Sequence, residues 1–144
     1  MIAVDRDVLL RRLLDDEPAQ AERARRLFAR NDRVLIPDIV LAEAIWTLKG
    51  KRYRASKDDI VAVITALLEE PHVGFESRRA VWAALNDYAD APLAKTGDGL
   101  DSADFVDALI VRKAMFTAQR WGEPYVAAYT FDQAALALPG TRAP

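Results

Sequence analysis

Four acidic side chains stand in positions that suggest chemistry. Glu43 interrupts the apolar run 39–48, and Asp107 is followed by four apolar residues, too deep in its predicted helix to serve as a cap. We expect both carboxylates to be desolvated, and each must then be protonated, paired with a cation or bound to a metal. Asp5 and Asp132 each follow a predicted strand. Taken singly, these two are explained as turn residues or helix caps.

Taken together, the four acids predict a site for a hard divalent cation. Carboxylate oxygens are the ligands that Mg²⁺ and Mn²⁺ prefer, and no His or Lys is predicted to be buried beside them. Such an ion holds phosphate oxygens and activates water, so hydrolysis of a phosphodiester or phosphomonoester is the predicted reaction. For Glu43 alone, a buried pair with Arg or Lys stays open as an alternative.

The composition excludes several other classes of site. The chain has no cysteine and one histidine, His72, which rules out disulfides, thiolate metal sites and cysteine nucleophiles and makes a Ser-His-Asp hydrolase hard to build. Its 20 Lys and Arg against 22 Asp and Glu give a net charge of -2. This balance argues against a protein that coats nucleic acid by bulk electrostatics.

The length predicts a single domain over residues 1–144. The apolar run 124–131 is far too short to cross a membrane, which takes about 20 residues. No basic segment with a following apolar stretch of secretory length is visible at residue 1, so we expect a cytoplasmic protein.

The elements that must position these acids alternate between strand and helix. Apolar, β-branched runs predict strands at 2–4, 34–36, 73–75 and 125–130. Helices are predicted over 8–14, 18–30, 39–48 after an Asp38 cap, 57–70 after a Ser56 cap, 78–88, and from a Ser102 or Asp101 cap to about residue 121. The stretch 92–99 is predicted as a loop.

This alternation predicts the α/β class, with parallel strands and crossover helices on both faces of the sheet. Ligand sites in such sheets lie beyond the carboxyl ends of the strands. Asp5 and Asp132 occupy such positions, whereas Asp104 has an ordinary role near a helix N-terminus. Trp46 and Trp82 are predicted to be core residues or part of a dimer contact.

The order and spacing of these motifs resemble the PIN-domain ribonucleases, and within them the VapC-type toxins of prokaryotic toxin-antitoxin pairs. The resemblance covers nearly the whole chain. It rests on Ile2-Ala3-Val4-Asp5 with Val8-Leu9-Leu10, on Ile36-Pro37-Asp38 through Leu41-Ala42-Glu43 to Trp46-Thr47-Leu48, on Asp104-Phe105-Val106-Asp107-Ala108-Leu109-Ile110, and on Thr130-Phe131-Asp132 before Leu138-Pro139-Gly140.

The resemblance implies a three-layer α/β/α sandwich with a central parallel sheet and a Mg²⁺- or Mn²⁺-dependent endoribonuclease. Its acids would be Asp5, Glu43, Asp107 and Asp132, with Asp5 and Asp107 as direct ligands and the other two completing the set or acting through water. Thr130 would orient a neighbour by hydrogen bonding. The resemblance also implies homodimers and a small antitoxin protein that blocks the acidic pocket.

The sequence departs from the family pattern directly after the first acid. Arg6 and Asp7 stand where Thr or Ser and then Asn are usual. Arg6 either pairs with Asp7 or another acid, or it reaches into the pocket and lowers the metal affinity by competing with the ion. The interval from Asp107 to Asp132 is also longer than the pattern expects.

Three alternatives stay open at this point. Asp5-Arg6-Asp7 after an apolar strand also resembles the nucleophile motif of haloacid-dehalogenase-like phosphatases, although Glu43 would then be unexplained. A PIN-like module weakened by Arg6 could bind RNA or protein without cutting. The basic stretch 49–57 is either a phosphate-contacting rim or an ordinary solvated loop.

Overall fold

The computed structural model describes residues 1–144, and the chain divides into two compact units. Unit 1 comprises Met1–Arg78, and unit 2 comprises Arg79–Pro144. No helix combines the length and apolar character that crossing a bilayer would need. The expectation of a single domain stays a prediction.

Unit 1 contains a parallel sheet whose strands are connected by helices. Its elements are β1 (Ile2–Ala3), α1 (Arg6–Leu13), α2 (Pro18–Ala29), β2 (Val34–Ile36), α3 (Asp38–Lys49), α4 (Lys57–Glu69) and β3 (Val73–Phe75). The strand order is β1-β2-β3, with Ile2 beside Val34 and Val34 beside Val73. This arrangement confirms the predicted α/β sandwich class with a parallel sheet.

The sheet and helices of unit 1 bury the apolar residues that the sequence pattern places on their inner sides. Val34 and Ile36 of β2 are fully buried, and α1 packs on both α2 and α3. Helix α3 begins at Asp38 with Pro37 as its N-cap, so the predicted Asp38 cap is wrong by one position. Pro37 fits the extended backbone required before the first helical turn.

Helix α4 begins with the capping box that its sequence predicts. The Ser56 hydroxyl accepts from the Asp59 N–H at 3.1 Å, and the Asp59 carboxylate accepts from the Ser56 N–H at 2.9 Å. The hydrogen bond from the Ser56 backbone, followed by that from its side chain, holds the pKa of Asp59 below its usual value. The Asp59 contribution to stability is therefore present above the unfolded-state pKa of about 4 and is lost as the pH falls below it.

Replacing Ser56 by Ala is expected to lower the free energy of unfolding by about 1 kcal/mol at neutral pH, because the Asp59 N–H loses its partner. Urea denaturation followed by circular dichroism measures the change. Ser102→Ala is the matched control, since Ser102 was a predicted cap and its hydroxyl makes no hydrogen bond in the structure. Equal losses in the two variants would contradict the capping role.

Unit 2 combines two helices with two separate strand pairs. Its elements are α5 (Arg78–Asp90), β4 (Ala94–Thr96), β5 (Gly99–Asp101), α6 (Phe105–Trp121), β6 (Ala128–Tyr129), a 3₁₀ turn (Ala135–Ala137) and β7 (Thr141–Arg142). Strands β4 and β5 pair antiparallel, and β6 and β7 pair parallel. Tyr88 and Phe105 are buried at the centre, with their rings edge to face.

Three predictions about unit 2 are wrong in detail. The loop at 92–99 contains β4 and the turn of a hairpin, in which Gly99 takes a positive φ of 118°. The strand predicted over 125–130 is reduced to Ala128–Tyr129, and its partner β7 was not predicted. Helix α6 is capped by Asp104 rather than by Ser102 or Asp101, because the Asp104 carboxylate accepts from the Val106 N–H.

Candidate functional site

Asp5 lies two residues after the end of β1, at the carboxyl end of the parallel sheet of unit 1. Its Oδ1 accepts a hydrogen bond of 2.9 Å from the Val8 N–H and so caps α1, while Oδ2 makes no hydrogen bond. Two further acids follow the neighbouring strands, Asp38 after β2 and Glu76 after β3. The Glu76 carboxylate accepts from the Asp38 N–H at 2.6 Å. Sequence reasoning missed Glu76, although its place after a predicted strand was the available signal.

Glu43 is exposed on α3, so the expectation that it is desolvated is wrong. Helix α3 buries its other side, and leaves Ile39 64% and Trp46 53% exposed on the same side as Glu43. The buried pair with a cation is likewise wrong, because the Glu43 carboxylate makes no hydrogen bond or ion pair. The prediction of Trp46 and Trp82 as core residues is wrong, because their side chains are 53% and 56% exposed, and the alternative of a dimer contact stays a prediction.

Asp104 and Asp107 form a reciprocal capping box at the start of α6. Asp104 Oδ1 accepts from the Val106 N–H at 3.0 Å, and Asp107 Oδ2 accepts from the Asp104 N–H at 3.2 Å. The sequence interpretation that Asp107 is too deep to serve as a cap is wrong, because the helix begins at Phe105 and makes Asp107 its third residue. Both acids are half-buried.

Thr130 and Asp132 form a tight turn in unit 2. The Thr130 hydroxyl accepts from the Asp132 N–H at 3.0 Å, and Asp132 Oδ1 accepts from the N–H groups of Ala134 and Ala135 at 2.8 and 3.1 Å. Asp132 Oδ2 makes no hydrogen bond. Asp132 borders a cavity of about 370 Å³, whose wall also contains Thr96, Gly97, Asp98, Leu100, Asp101, Gln133 and Ala134.

Arg6 pairs with its neighbour in sequence and not with Asp5. Its Nε and Nη2 both donate to Asp7 Oδ1 at 3.2 Å. Both side chains are about half or more exposed, so the pair contributes no more than about 1 kcal/mol. The sequence left two placements open for Arg6, pairing with an acid such as Asp7 or entry into the acidic pocket, and the structure shows the pairing with Asp7. Asp7 also borders a cavity of about 380 Å³ in unit 1, between α1 and α2, which neither Asp5 nor Glu43 lines.

The basic stretch 49–57 is partly neutralised within unit 1. Asp16 accepts from the Tyr53 hydroxyl at 2.8 Å, from Arg11 at 2.9 Å and from Arg52 at 3.2 Å. The Tyr53 hydroxyl, followed by Arg11, holds the pKa of Asp16 below its usual value. Asp16 therefore engages Arg52 and Tyr53 of this stretch, and the choice between a phosphate-contacting rim and a solvated loop stays a prediction.

Three of the four candidate acids retain carboxylate oxygens of the kind that a hard divalent cation prefers. Asp5 Oδ2, both Glu43 carboxylate oxygens and Asp132 Oδ2 accept no hydrogen bond from the chain, so they are available as oxygen ligands. Within neither unit alone do three or more His, Asp or Glu side chains come together as a metal-binding group. The prediction of the full ligand set from Asp5, Glu43, Asp107 and Asp132 stays a prediction.

The family described as PIN domain matches residues 2–132, a range that contains all four candidate acids. No curated protein matches the chain.

Proposed function

Since the chain belongs to the PIN domain family, whose members are typically metal-dependent nucleases, we propose that it is a Mg²⁺- or Mn²⁺-dependent endoribonuclease. The observation that carries the proposal is the family match over residues 2–132, because it includes Asp5, Glu43, Asp107 and Asp132 in order. These four carboxylates would hold the ion. When bound, a divalent ion supplies charge neutralisation at the phosphate and a nucleophile at neutral pH.

Hydrogen bonds to the backbone fix three of the four acids. Val8 holds one oxygen of Asp5, Asp104 holds one of Asp107, and Ala134 and Ala135 hold one of Asp132. Side chains restrained in this way bind a charged ligand without a large loss of rotamer entropy. Glu43 has no such restraint, so in the proposal it completes the ligand set or acts through water.

The proposal extends to the biological setting that the sequence motifs imply. The protein would act in the cytoplasm as a toxin of the VapC type, inhibited by a small antitoxin protein, and would form homodimers. Exposed apolar side chains on α3, Ile39 and Trp46, support a protein contact, because such residues are enriched at interfaces. Sedimentation of wild type and Trp46→Ala tests the dimer.

The enzymatic part is tested by cleavage of a fluorescent single-stranded RNA. We expect cleavage with Mg²⁺ or Mn²⁺ and none after chelation with EDTA. A phosphatase that uses Asp5 as nucleophile would instead form an acyl-phosphate on that residue, which a phosphate analogue traps. Failure to cleave RNA with either ion would contradict the proposal.

Arg6→Thr is expected to raise Mn²⁺ affinity by only about two- to threefold, because an exposed charge paired with Asp7 acts on neighbouring carboxylates through water. Calorimetric titration measures the change, and Arg23→Thr, which replaces another exposed arginine of unit 1, is the control. A gain of a hundredfold or more would show that Arg6 occupies the metal site, and would favour a binding module over an enzyme.

A further inference from the structure

Two aromatic rings are exposed at the strand pair β6–β7, one from Tyr129 in β6 and one from Phe131, two residues beyond the end of that strand. Tyr129 is 60% and Phe131 is 84% exposed, whereas Ala128 and Thr130 are half-buried. Exposure therefore alternates along residues 128–131, as it does in a strand with one face toward water. Tyr129 and Phe131 lie on this same outer face.

Arg142 lies on the outer face beside these rings. It is the register partner of Tyr129, and register partners in parallel strands direct their side chains to the same side. The preceding residue, Thr141, faces the other way, because its hydroxyl donates to the backbone oxygens of Ala135 and Leu138. Arg142 is exposed and forms no ion pair, so its positive charge is not compensated.

The backbone that carries this face is fixed. The Ala128 N–H donates to Gly140 O at 2.9 Å, and the Thr130 N–H donates to Arg142 O at 3.0 Å. On the C-terminal side of Phe131, the Asp132 N–H donates to the Thr130 hydroxyl, so the backbone is held both before and after the ring. An exposed ring held on rigid backbone can stack on a planar ligand with little loss of backbone entropy.

We infer that Tyr129, Phe131 and Arg142, the aromatic platform, bind unpaired bases of single-stranded RNA. The two rings would stack on base faces, and the Arg142 guanidinium would contact a phosphate. The inference rests on the proposed function, because Phe131 directly precedes Asp132 and a base stacked on its ring brings the adjoining phosphodiester near that carboxylate. The faces of bases in a duplex are already stacked, so the platform selects single strands.

The combination of groups favours RNA over a protein as the occupant. Exposed aromatic side chains alone suit either ligand. Arg142 carries a positive charge that no acid compensates, and it lies in register with Tyr129. This charge is complementary to the phosphates of an RNA chain. A protein contact at this face is therefore the competing outcome of the experiment.

The experiment measures binding of a fluorescent, unstructured RNA of about 12 nucleotides by anisotropy, in EDTA so that no cleavage occurs. Phe131→Ala is expected to weaken binding about 5- to 100-fold, and Phe131→Trp to restore it, since stacking needs only an aromatic face. Trp82→Ala, which removes a 56% exposed ring on α5, is the matched control and should bind like wild type. The same RNA annealed to its complement should bind at least about tenfold more weakly.

Arg142→Gln should weaken binding and lower the slope of log affinity against log salt by about one. The platform is overturned if Phe131→Ala binds RNA as tightly as wild type does. It is also overturned if this substitution changes the oligomeric state and leaves the RNA affinity unchanged. Wild type that binds RNA through Phe131 but never cleaves it with Mn²⁺ contradicts the proposed function and supports the platform. If Phe131→Ala both binds and cleaves RNA like wild type, the platform is overturned and the proposed function is supported.

Discussion

Glu43→Gln is expected to lower RNA cleavage at least about 100-fold without changing the melting temperature. Loss of one charged ligand or proton acceptor from a metal-dependent site has effects of this order. The stability should be unchanged because the Glu43 carboxylate is exposed and makes no hydrogen bond or ion pair. Initial rates on a fluorescent RNA at saturating Mn²⁺, with thermal unfolding measured in parallel, give both quantities.

The absence of a structural role makes Glu43 the cleanest of the four acids to test. Asp5, Asp107 and Asp132 each cap a helix or a turn, so their substitution also removes a backbone hydrogen bond. Glu69→Gln is the matched control, since Glu69 is an exposed helical glutamate of the same unit. Cleavage by Glu43→Gln within threefold of wild type would exclude Glu43 from the active site.

Phe105→Ala is expected to lower the free energy of unfolding by about 3 to 5 kcal/mol, the largest effect on stability that we predict. Phe105 is fully buried as the first residue of α6, and its ring meets that of Tyr88 edge to face with centroids 6.2 Å apart. Truncation removes this contact and leaves a cavity beside Tyr88. Urea denaturation followed by fluorescence measures the loss.

Ile110→Ala serves as the control for Phe105→Ala on the same helix. Ile110 is 56% exposed, so its truncation removes little buried area and should change stability by about 0.5 kcal/mol or less. A loss below about 1 kcal/mol for Phe105→Ala would contradict the packing described for unit 2.

Local pattern predicted the elements of unit 1 well and those of unit 2 less well. Strands β1, β2 and β3 are apolar runs that end before Asp5, Pro37 and Glu76, and α4 has a complete capping box, so each carries its own signal. Strand β7 has two residues and no apolar run. Its position depends on pairing with β6, which no local pattern encodes.

The environment of the candidate acids depended on tertiary packing and on exact helix boundaries. The run 39–48 is apolar on nearly every side, so its sequence could not show that α3 leaves the Glu43 side exposed. A difference of two or three residues in the start of α6 converts Asp107 from an internal carboxylate into a member of a capping box. The choice of the four acids rests on their residue types and order, and it stays a prediction, although all four lie within the matched range 2–132.

Manganese binding tests the proposed function most directly. Free Mn²⁺ is measured by electron paramagnetic resonance during titration of wild type, Asp5→Asn, Asp107→Asn and the exposed control Asp90→Asn. We predict saturable binding by wild type and by Asp90→Asn, and binding at least about tenfold weaker in each of the other two, because the proposed function assigns both acids to one ligand set. Equal Mn²⁺ binding by all four proteins, or no binding by wild type, would contradict a metal-dependent ribonuclease built on these carboxylates.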